Sequence, residues 1–177
     1  MSDVRSRREF LQAAVAAGTA IPAGLSLLAP SRVQAEKRSA NERLNLAIIG
    51  VAARGGANLS GVSSENIVVL CDIDSKRLGQ ASQTFPKAKT YADYRRVFDH
   101  KNLDGVVVST PDHMHAIPVV QALRQGLAVY CEKPLAHSVH EIRTIREETA
   151  KAKVVTQMGT QIHAGNNYRR VVEVIQS

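Results

Sequence analysis

The stretch Leu44-Asn45-Leu46-Ala47-Ile48-Ile49-Gly50-Val51-Ala52-Ala53-Arg54-Gly55-Gly56 decides the fold. It opens as a short apolar strand, turns through glycine and small residues, and enters a helical stretch reaching about Val62. The same alternation then repeats along the chain. Apolar, β-branched runs recur at Ile67–Cys71, Gly105–Ser109, Leu127–Cys131 and Val154–Met158, with a weaker strand over Lys87–Tyr91. Strands alternating with ten- to fifteen-residue helices make βαβ units and a parallel sheet. The strands are continuously apolar, which a sheet covered on both faces requires. Six such strands suit an α/β, doubly wound parallel sheet in the order 3-2-1-4-5-6.

Punctuation between the strands supports this reading. Asp74 is placed to cap a helix over Ser75–Phe85, which Pro86 stops. Asp93 caps a helix carrying Tyr94, Val97 and Phe98. Thr110-Pro111-Asp112 turns the fourth strand into a helix from His113 to Gln125, with Gly126 as its stop. A helix over Ser138–Ala152 is expected to turn Val139, Ile142, Ile145 and Ala150 inward.

The first turn is where chemistry enters. Gly50-Val51-Ala52-Ala53-Arg54-Gly55 occupies the place of a G-x-G-x-x-G loop, whose backbone N–H groups meet a pyrophosphate at the helix start. Its second glycine is replaced by Ala52, so the loop alone reads equally as an ordinary small-residue turn. Asp72, 22 residues after Gly50 at the end of the second strand, is placed to accept hydrogen bonds from ribose hydroxyls. Together, strand, loop, helix and acid point to a dinucleotide. The acid favours NAD, while Lys76 and Arg77 leave NADP open.

Ligands of open parallel sheets sit outside the carboxyl ends of the strands. Three polar clusters fall there: Ser109 to His115, Glu132-Lys133-Pro134, and Gly159 to His163. Lys133 is a candidate proton donor or acceptor, against the plainer reading of a surface lysine. His113 and His115, two apart, do not share a helix face, so a zinc pair is not expected; one of them lining the cleft is.

The ends of the chain read differently. Ser6-Arg7-Arg8-Glu9-Phe10-Leu11, a diluted apolar run to Ala29 and a small-residue site near Val33-Gln34-Ala35 form a twin-arginine signal over residues 1–35. Gly18, Pro22 and Gly24 interrupt that run, which argues against a membrane anchor. Residues 36–177 form the domain. The formal charge is +7, but its lysines and arginines are scattered and aromatics are few, which disfavours nucleic acid. Cys71 and Cys131 fall three strand spacings apart, ~14 Å against a disulfide limit of ~7 Å, and are expected to be free. A helix over Tyr168–Ile175 shows an apolar face with no stop signal, the expectation for a truncated domain.

These segments resemble the glucose–fructose oxidoreductase / inositol dehydrogenase (Gfo/Idh/MocA) family, and its twin-arginine-exported, planctomycete-type members in particular. The resemblance rests on the signal, on Leu46 to Gly50 with Arg54-Gly55-Gly56, on Cys71-Asp72-Ile73-Asp74, on Ser109 to His115, on Tyr130 to Leu135 and on Gln157-Met158-Gly159. It implies a Rossmann domain holding the cofactor with Gly50, Ala52, Ala53, Arg54, Gly55 and Asp72. It further implies that Thr110, Pro111 and His115 line the nicotinamide side, and that Lys133 lies beside the reacting carbinol with Glu132 nearby. Ala52 and Ala53 depart from it, standing where family members carry glycine. The implied reaction is hydride transfer between NAD(P) and a sugar or cyclitol hydroxyl, completed by a second α/β domain that also allows homo-oligomers. Two rivals stay open: a relative that cleaves glycosides through transient oxidation, and a non-catalytic cofactor-binding module.

Overall fold

A computed structural model of the chain describes residues 43–161 and 165–177. The signal expected over residues 1–35, and His163, lie outside the described residues. Six strands form one parallel sheet: β1 (Asn45–Ile49), β2 (Asn66–Cys71), β3 (Lys89–Tyr91), β4 (Gly105–Val108), β5 (Ala128–Glu132) and β6 (Thr156–Gly159). Their order is β3-β2-β1-β4-β5-β6, as the βαβ reading requires. The helices are α1 (Arg54–Gly61), α2 (Ser75–Thr84), α3 (Ala116–Arg124), α4 (Val139–Ala152) and α5 (Asn166–Gln176).

The apolar strands divide between two cores. Ala47, Ile49, Val69, Val106, Val108 and Val129 enter one, with Val119, Leu123 and Ile145 from α3 and α4. Leu46, Ile48, Leu70 and Val107 enter the other, under Leu59 of α1 and Leu78 of α2. Successive side chains of a strand point to opposite faces, so only a sheet with two packed faces buries such runs. Cys71, Ile49, Val108 and Cys131 stand in one register row across four strands. Both thiols are free and buried, and burial pushes each up to about 12, with Asp72 adding at Cys71 and Glu132 at Cys131.

Several helices differ from expectation. The single helix expected from His113 is a 3-10 turn over Asp112–Met114 followed by α3, because His115 turns its ring into the interior at the junction. The segment capped by Asp93 is a 3-10 helix, Tyr94–Asp99, in which the Asp93 carboxylate accepts from the Arg95 N–H (3.0 Å). On α4 only Ile145 of the expected inward set is buried; Val139 and Ile142 are exposed, as is Ala150. The face against α3 and the sheet is Glu141, Thr144, Ile145, Glu148 and Ala152, a stripe of mixed polarity that hydrophobicity alone misplaces. β6 runs two residues later than its apolar run, and Val155 and Met158 stay exposed.

Candidate cofactor site

β1 delivers its chain into the turn at Gly50, whose N–H donates to the Cys71 carbonyl (2.8 Å). Gly50 has φ +89°, and a Cβ there would lie 2.5 Å from the Ser109 carbonyl oxygen. Glycine is thus required both by the backbone and by the close approach of the β4 end. Gly55 has the same role for the helix: a Cβ would fall on the Gly50 carbonyl. Ala53 has φ +48°, ψ −114°, a conformation comfortable only for glycine. The turn therefore keeps a glycine geometry at a position where this chain carries alanine. Ala53 is also the residue before α1, and no side chain caps that helix. The first N–H groups of α1 are left for an anion.

Asp72 closes the other side of the turn. Its Oδ2 accepts from the Val51 N–H (3.0 Å) and its Oδ1 from the Asp74 N–H (2.9 Å). The half-buried carboxylate is fixed through one lone pair per oxygen, and each oxygen retains another for a hydroxyl. Gly50, Ala52, Ala53, Arg54, Asp72, Thr110 and Pro111 line one cleft of about 550 Å³ at the carboxyl ends of β1, β2 and β4. The Thr110 hydroxyl oxygen is buried, with no hydrogen-bond partner among the described residues. An uncapped helix start and a fixed carboxylate in one cleft suit the phosphates and ribose of a dinucleotide.

The remaining predicted residues gather next door. His115, Glu132 and Lys133 line a smaller recess of about 220 Å³ with Asp112 and Gln161; Arg54 and Thr110 border both spaces. Lys133 is exposed, and its bond to Pro134 is a cis peptide. His115 lies deeper than a cleft-lining residue would, at 1% exposure. Its Nδ1 is 2.6 Å from the Pro134 carbonyl and its Nε2 is 2.7 Å from the Thr110 carbonyl. A neutral ring has one N–H and donates to one of them at a time. The His115 ring thus lies between the segments after β4 and β5, bonded to one of them at a time, and the histidine lining the main cleft is His113.

Glu132 is buried as well (5%), and its Oε1 accepts from Asn58 Nδ2 (2.9 Å) and the Tyr130 hydroxyl (3.3 Å). Asn58 Nδ2 also donates to Ser109 Oγ (2.9 Å). Burial, followed by the charge of Glu132, raises Tyr130 above the usual phenol range. Gly159 lets β6 pass this cluster, since a Cβ there would meet Tyr130 Oη at 2.5 Å and Glu132 Oε1 at 2.8 Å. Glu132 thus ties α1 to β5. Sequence reasoning gave no site role to Asn58 or Tyr130, and read Asp74 only as a helix cap although it lines the cleft with Arg77. Asn58 falls on the α1 face beside Leu59, where a polar residue reads as solvent-facing, and only the buried acid two strands away reveals its partner.

Residues 44–160 match the oxidoreductase family with an NAD-binding Rossmann fold, Gfo/Idh/MocA. A glycosyl hydrolase family 109 protein of Stenotrophomonas maltophilia is 32% identical over 71% of this chain. An inositol 2-dehydrogenase of Salmonella paratyphi B is 29% identical over 76% of it. The chain spans 29% of the length of the first of these relatives and 42% of the second. Among solved structures, myo-inositol 2-dehydrogenase of Lactobacillus plantarum superposes with a TM-score of 0.72 at 24% identity, over 76% of this chain and 41% of that one. The scyllo-inositol dehydrogenase of Lactobacillus casei, with bound NAD(H) and scyllo-inositol, gives 0.71 at 17% identity over the same shares. The chain belongs to the Gfo/Idh/MocA family, and residues 44–160 are its NAD-binding Rossmann domain.

Proposed function

We propose that this member of the family is the cofactor-holding half of an enzyme that moves hydride between NAD and a hydroxyl of a sugar or cyclitol. The observation that carries the reading is the cleft itself: the start of uncapped α1, Asp72, Thr110 and Pro111 line one space at the carboxyl ends of the central strands. In this reading the N–H groups at the start of α1 hold the pyrophosphate and Asp72 accepts from the adenosine ribose. Thr110 and Pro111 wall the nicotinamide side. When bound, NAD supplies the hydride acceptor. Lys133, exposed at the edge of the adjoining recess, would exchange the proton of the substrate hydroxyl, taking it as the neutral amine when the hydride leaves and returning it as the ammonium in the reverse direction. His115 acts at one remove by holding the Pro134 carbonyl, and so the lysine's own segment, against the end of β4. Glu132 braces Asn58 and Tyr130 through Oε1 in this reading, and it also lines the recess beside Lys133.

The test is a titration of the chain with NADH, followed by the nicotinamide fluorescence, beside an Asp72→Ala variant. Saturable binding weakened about tenfold or more in the variant is expected, since the variant loses a charge-assisted acceptor. Binding that the variant leaves unchanged refutes the assignment of the acid.

The relative from Stenotrophomonas maltophilia favours a second reading, glycoside cleavage through transient oxidation. The protein carrying this domain, given a sugar or cyclitol substrate, accumulates NADH at 340 nm under the first reading. Under the second it releases phenol from an aryl glycoside with no net NADH. We also propose export by the twin-arginine route, on the strength of Ser6 to Leu11. Replacing Arg7 and Arg8 by lysine should retain a fused reporter in the cytoplasm, and unchanged export would refute this.

A further inference from the structure

Asp72 is one of two carboxylates at the β2 end of the cleft. Asp74 lines the same end, and so does Arg77. Asp74 caps α2, its Oδ1 accepting from the N–H groups of Lys76 (3.0 Å) and Arg77 (3.1 Å). Its Oδ2 lies 3.2 Å from Arg77 Nε. Asp72 Oδ1 in turn accepts from the Asp74 N–H. The two acids are therefore linked through the backbone, and the second holds the guanidinium of the first turn of α2.

Resting on the dinucleotide reading, we infer that Asp74, by engaging Arg77 and adding its own charge, is a second determinant of NAD over NADP. A 2′-phosphate brings a charge of about −1.5 to −2. At this end it meets two carboxylates and one arginine whose Nε is turned to a carboxylate. A 2′-hydroxyl meets the same groups without that repulsion and can donate to Asp72. Of the two arginines that line the cleft, Arg54 starts α1 and Arg77 lies beside Asp74 at the β2 end; Lys76 does not line it. The Asp74–Arg77 pair is half-exposed, with side chains 45% and 56% accessible, so little holds the guanidinium once Asp74 is neutralised. Removing Asp72 alone deletes one repulsion and leaves the arginine held. Removing both charges leaves a free fork of donors suited to a phosphate.

The experiment measures the dissociation constants of NADH and NADPH for the full chain and four variants: Asp72→Ser, Asp74→Asn, Asp72→Ser with Asp74→Asn, and that pair with Arg77→Gln. Asparagine keeps an oxygen for the α2 cap, and Asp74→Ser is a second version with the same property. The expected result is a gain in the NADPH-to-NADH preference of at least about fivefold in the double variant over Asp72→Ser alone, erased by Arg77→Gln. A double variant no better for NADPH than Asp72→Ser, or a gain that survives Arg77→Gln, overturns the inference. A parent chain that binds NADH while Asp74 has no effect sinks this inference only. A folded parent that binds neither cofactor sinks the dinucleotide reading with it.

Discussion

At the ends of β1 and β2 the cleft is walled by main chain, while the recess beside it, at the ends of β4 and β5, is backed by side chains that hold one another. The first wall is a turn in which Gly50 and Gly55 meet backbone at close range and Asp72 accepts from the backbone N–H of Val51. The second is the Ser109–Asn58–Glu132–Tyr130 cluster with the His115 crosspiece. A wall of backbone tolerates no added volume but is indifferent to most chemistry. A wall of buried polar side chains tolerates modest volume changes but not the loss of an acceptor.

This contrast can be broken by substitution. Gly50→Ala should cost most, about 2–5 kcal/mol, because it combines a positive φ with a methyl pressed on the Ser109 carbonyl. A urea midpoint unchanged from the parent would show that the turn relaxes and is no rigid wall. Glu132→Ala should cost about 2–3 kcal/mol by stranding Asn58 and Tyr130, and Glu132→Gln should recover most of that, since its amide oxygen still accepts. Equal losses in the two variants would mean that volume, not the acceptor, is what the cluster needs. Ala53→Gly should act in the opposite sense, stabilising by about 0.5–1 kcal/mol as relief of the positive φ outweighs the entropy of glycine. Tighter NADH binding in that variant would place the alanine's cost in the bound turn as well.

A separate effect is expected on pH dependence. Cys71 and Cys131 are held up to about 12 in the native chain, whereas an unfolded thiol ionises near ~8.5. Between those values the native state keeps protons that the unfolded state has lost, so stability falls as pH rises through that window. Tyr130, raised by burial and Glu132, shifts in the same sense. The urea midpoint should decline from about pH 8 upward, and a Cys71→Ala, Cys131→Ala double variant should flatten that decline. A parent midpoint flat across the window would contradict the burial-driven shift.

The backbone wall was legible in the sequence and the side-chain wall was not. Gly50, Gly55 and Asp72 announce themselves by spacing, because one chain segment must fold back on itself within a few residues. Continuous apolar strands likewise announce two covered faces. The identity of Asn58 as a partner of Glu132 needs α1, β5 and β6 in register, and no local pattern encodes that. His115 reads as a cleft residue from its place after β4, yet its ring goes inward because two carbonyls await it there. The α4 stripe was misread because Glu141, Thr144 and Glu148 fill the packed face beside Ile145 while Val139 and Ile142 stay outside.

The strand order has a consequence for the order of synthesis. Of the six described strands β1 leaves the ribosome first, yet it lies in the middle of the sheet, paired with β2 on one side and β4 on the other. At ~5–20 residues per second the β4 partner follows β1 by several seconds. Until Ser109 has emerged, Gly50 has no carbonyl to pack against and its turn has no second wall. The nascent chain thus carries its cofactor loop for seconds before that loop can take shape, and a ligand that reads the finished turn has nothing to grip until the fourth strand arrives.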